Sequence, residues 1–467
     1  MKRRLLSILL VVTLVAVMVT GCGKKATETP TVETNEATEE TTEATAEATT
    51  DDAATVETTD AATGEDKQIA KKIKILSIWA EDKDNGKLIT DLTKKYIAEV
   101  NPNFEYEFEL VSSDSLKQKI ATLAASNDLP DVFVYESGKP IVELIEADKI
   151  LDVGQALEDL GVMGSLDAGA VSLLKTLSET DQLYDLPLGM NVEGFWYNKA
   201  LFEKAGVEVP NTWEEFEAAC VTLKAAGIQP LSAGGADKWP VTRLINAYVM
   251  RSMGVDAMKQ AAAGTTKYTD AGYVAAAGKI QELAAAGYFG EGVTTVDMNT
   301  AGNMLLAGEA AMFYNGSWFT EALTADTNPA GADGIGFFNI PVVDEAIGTI
   351  TEYPMNCGNI LCLDKAKYDD GTAAWLKYMV ENIGNEAMTQ FGAVKGYKYD
   401  VAGELSTYSQ IVADQLALVT KASTWFEAAM NSETSTVAGE NVQTLINGDM
   451  SAQEYMQSIQ DAYEGSK

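Results

Sequence analysis

Histidine is absent from all 467 residues. Its absence excludes imidazole metal sites, Ser-His and Cys-His nucleophile systems, and the commonest general base. Cysteine is scarce, with four in the chain. Secreted disulfide scaffolds are far denser in cysteine, so Cys220, Cys357 and Cys362 read as buried free thiols, with a Cys357–Cys362 bridge as the alternative. Positive charge is also in short supply, 34 Lys and Arg against 69 Asp and Glu, for a formal charge of −35. So acidic a chain repels nucleic acid and anionic surfaces, and a phosphate-rich partner is not expected.

What is present begins with a secretory leader. Lys2, Arg3 and Arg4 precede an apolar run, Leu5 to Val19, too short for a comfortable bilayer span. Val19-Thr20-Gly21-Cys22 is a small-residue cleavage site followed directly by cysteine, a lipobox. Residues 1–21 are therefore expected to be a signal peptide, and Cys22 to become the lipidated first residue. The mature chain would then be anchored to the outer face of the cell membrane, in a Gram-positive-type bacterium, without crossing it. An ordinary signal peptide with a chance cysteine is the plainer alternative. Residues 22–67 are rich in Thr, Glu and Ala, with 13 acidic residues against two lysines between Lys24 and Asp66. Such a stretch has little to bury and is expected to be a disordered tether, extended by self-repulsion.

The remaining body of roughly 400 residues is too large for one core and should split into two lobes. Lys72–Ala80 reads as a strand, Lys87–Val100 as a helix, Phe104–Leu110 as a strand, Ser115–Ser126 as a helix and Asp131–Tyr135 as a strand. This βαβα alternation implies parallel strands covered by helices. Ligands gather beyond the carboxyl ends of such strands, which singles out Trp79, Glu81 and Asp82 after the first and Tyr135 and Glu136 after the third. Each carboxylate has the bland alternative of a solvated loop tip.

The stretch Tyr184–Gly227 carries the most information. Leu186–Val192 is an extended crossing, Phe195-Trp196-Tyr197 a packed aromatic run, and Asn198–Ala205 a short helix closed by Gly206. Thr212 and Glu215 form a capping box for a helix whose Trp213, Phe216, Cys220 and Leu223 fall at helical spacing, with Gly227 as its stop. This segment resembles the Pro…Tyr-Asn-Lys-x-Leu-Phe-x-Lys-Ala-Gly…Pro-x-Thr-Trp-x-Glu block of the family 1 extracellular solute-binding proteins, the sugar-capturing lipoproteins of ABC importers related to maltose-binding protein. Leu129-Pro130-Asp131-Val132 and Gly308–Trp318 are similar to further blocks of that family. In the latter a strand, Ala311–Tyr314, leads into a glycine loop that opens a helix with Trp318 in its first turn. Free backbone N–H groups beside a flat indole suit a sugar, which has an apolar C–H face and a rim of hydroxyls.

The resemblance implies an α/β, two-lobed periplasmic-binding-protein-like fold (type II), each lobe a mostly parallel sheet flanked by helices, joined by three hinge crossings. Lobe 1 would comprise 68–187 plus 344–395, and lobe 2 would comprise 188–343 plus 396–467. The second crossing is expected at Gly334–Val343 and the third near Val394–Asp400, with helices at Ser423–Met430 and Ser451–Tyr463. The resemblance also places Trp239 and Arg243, at a Pro-broken corner, beside a sugar cleft, and Trp425 where a second stacking aromatic often stands. Asn191, Asn315, Glu136 and Arg243 would supply planar polar contacts.

The function expected is capture of a sugar, expected to be an oligosaccharide, by closure of two lobes, and its delivery to integral-membrane permease subunits. The protein would act as a monomer without cofactor, metal or catalysis. A surface glycoside hydrolase built on Glu81, Asp82 and Glu136 is one alternative. The same fold binding a peptide or polyamine for uptake or signalling is another. Asn191, where some relatives are acidic, and Trp239, where tyrosine can stand, leave the sugar's identity open.

Overall fold

The computed structural model describes residues 68–466; the expected leader, lipidated Cys22 and the whole of the tether lie outside them. Eleven strands are described: β1 Lys71–Ser77, β2 Phe104–Leu110, β3 Val132–Glu136, β4 Leu186–Pro187, β5 Asn191–Asn198, β6 Gln229–Ser232, β7 Ala310–Gly316, β8 Ile335–Phe338, β9 Glu352–Asn356, β10 Asn359–Leu363 and β11 Lys421–Ser423. They form two sheets, in the orders β2-β1-β3-β10-β4 and β11-β9-β5-β7-β6, with β8 also on β5. The expected β1–β3 pattern of parallel strands is present, and the helices Asp84–Glu99 and Ser113–Ala125 connect them.

The sheets are mixed rather than mostly parallel. β10 runs antiparallel to β3 and β4, and β5 runs antiparallel to β7, β8 and β9. The reason is where these strands come from. Asn359, the first residue of β10, pairs with Glu136, the last of β3. A strand arriving from the other lobe starts at the end where the parallel strands finish, so it must run back against them.

Two crossings lie side by side. One runs from β4 to β5 and the other from β9 to β10, with Asn191 paired to Asn356 between them. The second crossing is thus at 356–359. Gly334–Val343, expected to cross, instead contributes β8, which pairs with β5 inside the second sheet. Its aromatic pair explains the placement: Phe338 stacks on Phe195 at 5.2 Å and Phe337 meets Trp196 at 4.9 Å. The stretch 394–400 touches both lobes: Val394 packs against the Trp196 core of the second, while Tyr397 bridges Leu166 and is buried in the core of the first.

β5 is buried on both faces. Phe195 points into one core with Phe216, Leu223 and Met250, and Trp196 into another with Leu305, Phe313 and Tyr408. Each such aromatic contributes about 1.5–3 kcal/mol through burial. The capping boxes at Thr212/Glu215 and Ser451/Glu454 both form, and Gly206 takes the left-handed conformation, φ 66°. Ser423–Met430 is not the expected helix. After β11 pairs with β9, the chain turns with Ala428 N–H bonded to the Trp425 carbonyl and Met430 N–H to that of Glu427, while the Ala428 carbonyl is turned to the first lobe. Cys220, Cys357 and Cys362 are buried and free. Among the described residues no helix is long and apolar enough to cross a membrane.

Candidate functional site

Three indoles converge on one guanidinium. The Arg243 guanidinium carbon lies 4.4 Å from the Trp239 ring, 5.8 Å from Trp318 and 5.7 Å from Trp425. Trp239 and Trp318 are 6.0 Å apart at 59°. All three indoles are partly exposed. Their spacing places a cation against the negative faces of the rings. Four residues singled out in the sequence are therefore brought together from three separate stretches of the second lobe.

Local backbone explains two of these placements. Trp239 opens the helix Trp239–Met253 directly after Lys238, whose φ of 67° and ψ of −55° are unusual for a residue with a side chain. Such strain persists only where the surroundings fix it, often at a functional site. Trp318 lies in a single 3-10 turn, Ser317–Phe319, and folds back over the end of β7. A Cβ on Gly316 would fall 2.0 Å from its ring, so only glycine allows that fold-back.

Beneath the indoles lies a carboxylate that the sequence reading passed over. Glu193, in β5, is 1% exposed. Its Oε1 accepts from Arg243 Nη1 at 2.6 Å and from Asn356 Nδ2 at 2.6 Å, and its Oε2 accepts from the Tyr314 hydroxyl at 2.9 Å. A buried charge needs such partners. The available signal was a lone acid inside the run Asn191–Asn198, between residues that read as core. Burial, the negative charge of Glu193 and the hydrogen bond to it hold the Tyr314 hydroxyl well above its ordinary range. Asn356 in turn accepts from Asn191 Nδ2 at 3.1 Å and from the Gly358 N–H at 2.8 Å, and Asn191 accepts from the Ser317 hydroxyl at 3.1 Å. Both polar ends of the Asn191 amide are thus engaged within the protein. Asn315 Oδ1 accepts from the Gly316 N–H at 2.9 Å.

Glu427, also unanticipated, is partly buried beside this group and accepts from the Thr242 hydroxyl. Burial raises its carboxyl above the ordinary range, against the opposing pull of the Arg243 charge. Arg243 Nε is buried with no hydrogen-bond partner. The site therefore sets apolar ring faces, a partly exposed guanidinium and a carboxyl side by side. That combination suits a neutral, hydroxyl-rich ligand with apolar faces.

The first-lobe candidates are engaged locally. Glu81 accepts from the Tyr106 hydroxyl at 2.5 Å and lies 3.2 Å from Lys94, and the hydrogen bond from Tyr106 is the main reason its carboxyl titrates low. Glu136 pairs with Lys117 at 2.9 Å, and Asp82 is exposed on the loop. Tyr135 is 5% exposed and packs in the first core beside Phe133, because β3 lies between β1 and β10 and is buried on both faces. Trp79 is partly buried against the same core. No cluster of acidic and cysteine side chains able to hold a metal occurs among the described residues.

The bacterial extracellular solute-binding protein family matches residues 80–386, and the chain belongs to that family. An ABC transporter extracellular-binding protein of Pyrococcus horikoshii is 25% identical over 236 residues, 50% of this chain and 53% of that one. The alpha-glucosides-binding periplasmic protein AglE of Rhizobium meliloti is 26% identical over 204 residues, 42% and 43% of the two chains. The chain spans about half the length of the curated relatives it matches. The solved structure of a chitin oligosaccharide binding protein superposes with a TM-score of 0.75 at 24% identity, covering 85% of this chain and 98% of that one. That likeness fixes the fold as the two-lobed, type II arrangement.

Proposed function

We propose that this protein is the substrate-binding component of an ABC importer, which captures a sugar, an oligosaccharide, between its lobes and delivers it to membrane permease subunits. The observation that carries this reading is the convergence of Trp239, Trp318 and Trp425 on Arg243. Sugars stack their C–H faces on indoles and direct hydroxyls to charged planar groups, and such a site rejects ligands that leave those groups unpaired. Membership of a family of extracellular binding proteins supports uptake over hydrolysis. On this reading Arg243, Glu427 and Asn315 supply polar contacts and the three indoles supply platforms. The protein works as an extracytoplasmic monomer held to the membrane of a Gram-positive-type bacterium through lipid on Cys22, with residues 22–67 as spacer.

The test is a thermal-shift screen against mono- and oligosaccharides, followed by calorimetry on the best hit. Ligand that binds only the folded state must raise the melting temperature. Release of reducing ends from the same glycans, or stabilisation by spermidine or peptides alone, would sink the proposal. Labelling with a radioactive fatty acid, lost in Cys22→Ser, checks the anchor.

A further inference from the structure

We infer that Glu193 is a positioning residue that couples the guanidinium of the indole site to the pivot between the lobes; this rests on the ligand-capture reading above. The decisive feature is that one oxygen serves both. Glu193 Oε1 accepts from Arg243 Nη1 at 2.6 Å and from Asn356 Nδ2 at 2.6 Å. Arg243 belongs to the ligand side, stacked among three tryptophans, with its buried Nε still without an acceptor. Asn356 belongs to the pivot. It is the last residue of β9, pairs in register with Asn191 at the start of β5, and holds the Gly358 N–H of the second crossing.

The pivot is tightly built around these side chains. Asn191 and Asn356 are 5% and 2% exposed. A Cβ on Gly189 would meet Asn191 Nδ2 at 2.3 Å, and Gly358 takes φ +68° with the same nitrogen 3.6 Å from its own Cβ position. Any swing of one lobe against the other turns the chain at Leu188–Met190 and Cys357–Gly358, and so changes how Asn356 addresses Glu193. The other carboxylate oxygen is pinned by Tyr314 on β7, so Glu193 cannot follow by simple rotation.

The two donors therefore compete for electron density at a single acceptor. A ligand acceptor that engages the exposed part of the guanidinium draws it toward the indoles and loosens its hold on Oε1. Asn356 then takes the stronger bond, and the pivot settles into the geometry this bond favours. Conversely, a pivot geometry that breaks the Asn356 bond tightens Glu193 on Arg243 and withdraws the guanidinium from ligand. Glu193 touches no ligand itself on this account. Its charge and its length matter because one oxygen must reach both partners from a fixed strand.

The experiment is a double-mutant cycle, which isolates coupling from structural loss because independent effects multiply. Asn356→Ala removes the pivot donor, and Arg243→Lys keeps the charge but removes Nε and the planar fork. For the best sugar of the thermal-shift screen, Asn356→Ala should weaken binding at least ten-fold in the wild-type background and less than about three-fold beside Arg243→Lys. Effects that multiply would overturn the inference. Glu193→Asp, which keeps the charge but cannot span both donors, provides a second variant should Asn356→Ala unfold, and should show the same non-additivity with Arg243→Lys. A ligand-independent readout separates this inference from the functional reading. Arg243 lies over three indoles, so Asn356→Ala should shift tryptophan emission in the ligand-free protein, and this shift should vanish beside Arg243→Lys. An unshifted spectrum overturns the coupling even if sugars bind. A shifted spectrum with no sugar binding sustains the coupling and sinks only the sugar.

Discussion

The backbone N–H of Lys139 donates to the carbonyl of Ala428 at 3.2 Å, joining the first lobe to the second. Gly138, the residue before, sits at φ +88° and ψ −147°, and a Cβ there would lie 2.6 Å from the same carbonyl oxygen. The carbonyl belongs to the turn that carries Trp425 and Glu427. Contact between the lobes and the position of Trp425 are thus built into one short segment.

Gly138→Ala is expected to prevent this approach. Its backbone conformation is closed to residues with side chains at a cost of order 1–3 kcal/mol, and the added methyl meets backbone rather than a flexible side chain. Sugar affinity should fall at least ten-fold, and small-angle scattering at saturating ligand should show a larger radius of gyration than wild type. An unchanged radius with unchanged affinity would show that this contact has no part in closure.

Trp318→Ala and Trp425→Ala should each weaken binding ten-fold or more, about 1.4 kcal/mol or greater, by calorimetry. Both indoles are partly exposed, so the ligand-free melting temperature should fall little compared with Trp196→Ala, which empties a fully buried site and should cost about 3–5 kcal/mol. Equal losses of stability in all three variants would mark Trp318 and Trp425 as packing residues.

Asp185 predicts the pH dependence of stability. It is 1% exposed, neither carboxylate oxygen has a hydrogen-bond partner, and burial raises its carboxyl from 3.8 to about 8. The folded form thus holds the proton more tightly than the unfolded chain. Its contribution is full below about pH 4 and is lost as pH rises toward 8, at up to about 1.4 kcal/mol per pH unit. Thermal unfolding should show a midpoint that falls between pH 5 and pH 8. Asp185→Asn should flatten that slope and raise the midpoint at pH 7.5; a variant with the wild-type slope would refute the assignment.

Ligand affinity should also depend on pH through Glu321. Burial, and then the charge and hydrogen bonding of Asp84 on the first lobe, raise its carboxyl from 4.5 to about 7, partly opposed by Lys395. Lys395 itself is lowered to about 8 by burial, so it stays charged across the window in which Glu321 titrates. The arrangement that brings Glu321 and Asp84 together favours the protonated acid. Closure should therefore take up a proton, and affinity should fall as pH rises from about 4.5 through 7. Calorimetry in buffers of different ionisation enthalpy should detect that proton at pH 6, and Glu321→Gln should abolish the uptake. Proton uptake that persists in the variant would assign it elsewhere.

Much of the local structure was legible in the sequence. Thr212 with Glu215 and Ser451 with Glu454 form their boxes because each pair lies within one helical turn, and no distant residue is needed to satisfy those backbone donors. The strands β1 to β3 follow from composition and period, and Trp318 follows a glycine whose missing side chain its ring requires. Only the tertiary structure decided the rest. Glu193 draws its partners from 50, 121 and 163 residues away, and the stretch 334–343 is held in the second sheet by Phe337 and Phe338 packing on β5. Backbone turns and caps answer to neighbours a few residues apart, whereas a buried charge and a shared core answer to whatever the folded chain brings alongside, and no local pattern encodes that.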